Sequence, residues 1–176
     1  MRRVAAVGLL LGVLGVVAGC GRTPTSVRVT IRGESFVLDV ADNPESRRIG
    51  LMGRTEIPPG TGMIFLFARP AMQAFWMGHC LTDMDIIYLD SGGHVTATYT
   101  MRVEPPMGVD ESEAAYQTRL ASYSSRSPAQ FVIEVPAGTV ERLGIEREER
   151  IALDLAGLKS RVRTADGPES RSPTPP

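Results

Sequence analysis

Apolar residues recur at every second position in short runs, and turn residues separate the runs. That period constrains the fold more than any other feature of the chain. Val27, Val29 and Ile31 alternate with Arg28, Thr30 and Arg32, Gly33-Glu34 interrupts them, and Phe36, Leu38 and Val40 resume the pattern. A period of two puts alternate side chains on one face of a strand, so the pair predicts a β-hairpin with one buried face. Residues 63–67 form an apolar run between Gly62 and Pro70, and Phe75-Trp76-Met77 opens a further extended segment. Residues 84–89 form another strand, closed by the turn Asp90-Ser91-Gly92-Gly93. Residues 94–103 read as its hairpin partner, with Val95, Ala97, Tyr99 and Met101 on one face. Phe131, Ile133 and Val135 alternate again, and residues 150–155 supply a last strand. About eight short strands with one or two short helices predict a mainly β, single compact domain of sandwich or barrel-like form.

The helices have local causes. Asn43 offers an N-cap, Pro44 fits the first helical position and Glu45 favours the positive helix start, so a short helix is expected to about residue 52. Thr139 begins a helical turn that Gly144 caps. Residues 105–128 are polar and Pro-flanked and read as an inserted excursion from the sheet, helical over residues 111–120.

The ends carry other information. Arg2 and Arg3 precede an uncharged, Leu- and Val-rich stretch, and Val17-Ala18-Gly19-Cys20 follows it. Residues 1–19 therefore read as an export signal, too short for a spanning helix of about 20 apolar residues. The small residues before Cys20 resemble the lipobox of bacterial lipoproteins, which implies a diacylglyceryl-modified Cys20 at the membrane. The expected organisation is a signal over 1–19, a lipidated Cys20 and tether over 20–26, a β domain over 27–159 and a disordered tail over 160–176. The expected location is the cell membrane or outer membrane, with the domain outside the cytoplasm.

Loss of Arg2 and Arg3 with such a signal takes the formal net charge from −1 to −3, and Lys159 is the only lysine. No basic stripe offers a footprint for nucleic acid. Lipidation of Cys20 would leave Cys80 without a partner, so no internal disulfide is expected and the core must supply the stability.

Several short motifs occur in order: Gly50-Leu51-Met52 with Arg54, Gly62-Met63 with Phe65 and Phe67, Phe75-Trp76-Met77 and Asp85-Ile86-Ile87-Tyr88. Phe131-Val132-Ile133-Glu134, Ala137-Gly138 and Leu143-Gly144 complete the series. Together they resemble the family called domain of unknown function 192, across residues 27–154. The resemblance implies a compact, often exported β fold and brings no reaction with it. Gly78, His79 and Cys80 stand where the family has Lys-Asn-Thr, Asp83 replaces a Pro, and the segment 104–126 is longer than usual.

Three constellations carry possible chemistry. Met77, His79 and Cys80 bring soft donors together and suit Cu(I) or Zn if a turn at Gly78 lets them converge; otherwise Met77 is core and Cys80 a small buried hydrophobe. Asp83, Asp85 and Glu134 border apolar strands, with Arg54 a possible partner; they suit acid–base work if two face each other, and structural pairing if they do not. Trp76 with Phe75 and Tyr88 offers a stacking platform, although a Trp in an apolar strand context is more often core. The reading favours a small-ligand or envelope-partner binding module over an enzyme. Arg54, Trp76, His79, Cys80 and Asp85 are its expected ligand residues, with no cofactor, and the excursion is a candidate lid. A metal-handling protein or an acid–base enzyme acting on envelope material is the alternative.

Overall fold

The computed structural model of the chain describes residues 25–165, and side chains to residue 162. Residues 1–24, which hold the expected export signal and Cys20, and residues 166–176 lie outside the described residues. Among the described residues eight strands form: β1 (Ser26–Ile31), β2 (Glu34–Ala41), β3 (Thr61–Ala71), β4 (Ala74–Phe75), β5 (Met84–Leu89), β6 (Val95–Met101), β7 (Tyr123–Ser124) and β8 (Ala129–Pro136). The helices are α1 (Pro44–Ile49), α2 (Glu113–Arg119), α3 (Thr139–Leu143) and α4 (Leu155–Ala165). Six strands make one sheet in the order β1-β2-β3-β8-β5-β6, and β4 pairs with β7 in a second, two-stranded sheet. Neighbours in the large sheet run antiparallel except β2 and β3, which are parallel because residues 42–60 and α1 carry the chain back across.

The mainly β expectation holds, and the sheet stays open. Its central strands β5 and β8, and β3 over residues 62–66, are buried on both faces. Ile64, Leu66, Ile87, Leu89, Phe131, Ile133 and Val135 face a first core, which Leu158 and Val162 of α4 close. Met63, Phe65, Ile86, Tyr88 and Val132 face a second core, covered by Leu51, Ile57 and Met77. The period of two assigns each residue to its face.

Three details depart from the sequence reading. Val95 packs in the first core, whereas Ala97 and Met101 pack in the second. The β5–β6 register shifts between Tyr88 and Leu89, which pair with Ala97 and Val95, so a bulge turns Val95 to the opposite face. The strand expected over residues 150–155 does not form. Instead Arg150 bridges to His94 beside β6 and Ala152 bridges to Thr30 on β1, so the segment links the two edges of the sheet without lengthening either. Finally, four helices form among the described residues rather than one or two. The last begins at Leu155 and passes residue 160, where a disordered tail was expected, because Val162 finds a place in the first core.

Candidate functional site

The second face of the sheet holds a cleft of about 260 Å³ between α1, β3 and the chain around β4. Its construction follows from local rules. Asn43 caps α1, accepting from the Ser46 amide at 3.0 Å, and the helix stops at Gly50, whose φ of +52° suits glycine. A Cβ on Gly50 would stand 3.3 Å from the Phe65 ring, so the bare backbone lets that ring line the cleft. Phe65 meets Phe75 edge-to-face at 4.9 Å, and Phe75 meets Tyr88 at 5.8 Å. The short β4–β7 ribbon is tied over this face from below: Tyr88 Oη donates to the Tyr123 carbonyl at 2.6 Å, and Tyr99 Oη to that of Ser124 at 2.8 Å.

Glu134 lies at the buried end. It is 5% exposed and stands on β8 between Met63 of β3 and Ile86 of β5. Gly62 makes this position possible, because a Cβ there would fall 2.1 Å from the Glu134 carbonyl oxygen. Among the described residues the Glu134 carboxyl has no hydrogen-bond or ion-pair partner, and burial alone pushes its pKa up to about 8. An unpaired carboxylate is costly in an apolar setting, so the group is held mainly as the neutral acid at pH 7. Cys80 lines the same cleft, half-buried, and burial followed by the nearby Glu134 pushes its thiol up to about 11. Burial likewise raises the Tyr88 phenol well above its ordinary value. At the mouth, Arg47 donates from Nη1 to the Leu66 carbonyl at 2.8 Å and lies over the Phe67 ring, while Arg48 is exposed.

The expected ligand residues divide. Trp76 and Cys80 line the cleft. Trp76 is 45% exposed rather than core, and Gly78 lets its indole lie close, since a Cβ there would sit 3.0 Å from the ring. Arg54, His79 and Asp85 do not join them. Arg54 pairs with Asp39 at 2.7 Å on a half-exposed surface. His79, in a left-handed turn with φ of +56°, is exposed and points its ring at Glu113 and Tyr116 of the excursion. Asp85 is fully buried on the first face of the sheet, where it accepts from Thr100 Oγ1 and from the Val140 amide, each at 2.7 Å. The five residues therefore do not converge.

The other constellations separate for the same reason of facing. Met77 is buried in the second core, His79 turns to α2 and Cys80 to the cleft. Among the described residues no group of three His, Cys, Asp or Glu side chains is placed to hold a metal ion. Asp83 binds Arg102 and the Val103 amide outside the cleft, and Asp85 and Glu134 occupy opposite faces of the sheet, so no carboxylate pair forms across an opening. The excursion does not line the cleft; it packs on the loop beside it through Tyr116 Oη, which accepts from the His79 amide at 3.0 Å. Phe65, Phe67, Arg47 and the dominant role of Glu134 were missed. The one available signal was an acid in the apolar run 131–135, out of phase with Phe131, Ile133 and Val135, which reads as solvent-facing until a second core is known.

The sequence profile of the family DUF192, described as Uncharacterized ACR, matches residues 27–153. Two solved structures resemble the chain. One is a proposed transcription regulator from Sinorhizobium meliloti 1021, with 29% identity over 71% of this chain and 88% of that one, and a TM-score of 0.56. The other is a protein of unknown function from Novosphingobium aromaticivorans DSM 12444, with 28% identity over 73% of this chain and 84% of that one, also at a TM-score of 0.56. A search of curated proteins returned no match.

Proposed function

The chain belongs to the family DUF192, and from that premise we propose a lipid-anchored, extracytoplasmic binding protein that holds a small, apolar-bodied ligand in the cleft ending at Glu134. One observation carries the binding reading. A nearly inaccessible carboxyl faces an aromatic-walled cleft with no partner among the described residues, an arrangement that costs stability and offers the fold nothing in return. Small-molecule sites commonly combine apolar walls with a few placed polar groups, and this cleft has that composition. Gly50, Leu51, Met52, Phe65, Phe75 and Glu134, which belong to the motifs quoted above, all line it.

The anchoring reading rests on the sequence around Cys20. Two or more acyl chains hold a protein durably on a bilayer, so Cys20→Ala should release it from membranes. Continued membrane partitioning of that variant refutes the anchor.

Trp76 is the only tryptophan and stands at the cleft, so its emission reports occupancy directly. The full chain in lipid nanodiscs is titrated with small phenyl compounds bearing basic, neutral and acidic groups. A saturable change in emission for at least one, lost when the cleft is filled by Ala74→Trp with binding read by calorimetry, supports the reading. No saturable response from any compound overturns it.

A further inference from the structure

The cleft's polar groups are distributed unevenly, and the distribution selects a ligand class. At its buried end the ionisable groups are acids only, Glu134 and Cys80. Its walls present the rings of Phe65, Phe67, Phe75 and Trp76. Among the described residues the cations of the lining, Arg47 and Arg48, come from α1 at the mouth. Arg47 is held there by the Leu66 carbonyl and the Phe67 ring, and neither arginine approaches Glu134 closely enough to offset the effect of burial on it. The carboxyl is therefore set up for a counter-charge that the described residues do not supply. Aromatic faces attract cations through the ring quadrupole, and a desolvated cation–π contact adds to an ion pair. An anion at that depth would meet an acid and no donor cation.

Resting on the binding reading above, we propose that the cleft takes an organic amine, its ammonium against the Glu134 carboxyl and its apolar body among Phe65, Phe75 and Trp76. On binding, the ammonium stays protonated and the Glu134 proton leaves to solvent, so one proton is released for each amine bound at neutral pH. The groups facing Glu134 are Cys80 from the loop after β4 and Tyr88 from β5, with Arg47 and Arg48 at the mouth. Cys80 and Tyr88 are both held protonated above the range used here, and arginine does not titrate in it, so Glu134 alone governs the response between pH 6 and pH 8.

The test uses 2-phenylethylamine, 2-phenylethanol and 3-phenylpropanoate against the full chain in nanodiscs, read by Trp76 emission and by calorimetry. Amine affinity should rise roughly fiftyfold from pH 6 to pH 8 as the cost of ionising Glu134 disappears. Calorimetry in buffers of different ionisation heat should count one proton released. At pH 8 the amine should bind at least about tenfold more tightly than the alcohol. Glu134→Gln should lose both the pH slope and the preference. Tighter binding of 3-phenylpropanoate, affinity falling with pH, or equal binding of amine and alcohol overturns the amine assignment and leaves the binding reading standing. Failure of all three compounds removes both. The wild-type pH slope is decisive even if the variant does not fold.

Discussion

Asp85 and Glu134 stand on adjacent strands of one sheet, β5 and β8, both almost fully withdrawn from water and on opposite faces. On the first face Asp85 is satisfied from two sides, by the hydroxyl of its cross-strand neighbour Thr100 and by the Val140 amide. The second bond matters because α3 starts at Gly138, which has no side chain to cap it, so a strand residue supplies the cap from 55 positions away. On the second face Glu134 has apolar cross-strand neighbours, the protonated Cys80 and Tyr88 nearby, no hydrogen-bond partner among the described residues, and a cleft before it. Burial is the same and partnership is opposite. A buried acid with partners belongs to the structure; a buried acid facing a cleft without them is a place to look for a ligand.

The comparison is open to measurement. Glu134 has a folded pKa above its unfolded value of 4.5, so the native state binds more protons than the unfolded chain between 4.5 and about 8. This contribution is fully present below the lower value and is lost as pH rises through the upper one, by a total of about 5 kcal/mol, of which about 4 kcal/mol falls between pH 5 and pH 9. Urea unfolding at pH 5 and pH 9 should show this loss, and Glu134→Gln should flatten it; an equally steep wild-type and variant profile breaks the contrast. Asp85→Ala strands the Thr100 hydroxyl and the Val140 amide in the first core and should cost about 3 kcal/mol at pH 7. A loss below about 1 kcal/mol would mean that water reaches that face.

The remaining effects are smaller and sharpen the picture of the second face. The Cys80 thiol, raised from 9.0 to about 11, should react with a disulfide reagent at pH 8 roughly tenfold more slowly than an unperturbed thiol, the loss of thiolate being partly offset by its greater nucleophilicity, and more slowly still with the cleft occupied. Trp76→Ala should cost under about 1 kcal/mol of stability, because the residue is already 45% exposed, whereas Met77→Ala one residue later should cost about 3 kcal/mol. Similar losses at the two positions would make Trp76 a core residue and remove the stacking wall.

The sequence alone determined the hairpin β1–β2, the strands β5 and β8, the start of α1 at Asn43 and the turn α3 before Gly144, because a two-residue period and local capping chemistry are written in neighbouring positions. It also carried the family, through motifs that survive in order, and the expectation of a lipidated Cys20. Of the expected ligand residues, only Trp76 and Cys80 came to the cleft. Tertiary structure decided the rest. Whether Glu134 meets water or a second core depends on Leu51, Ile57 and Met77 arriving from distant segments, and which of the two cores Val95 joins depends on a bulge in its pairing. Alternation fixes which residues share a face of a strand; only the packing of other elements fixes whether that face is wet, paired or left open around an acid.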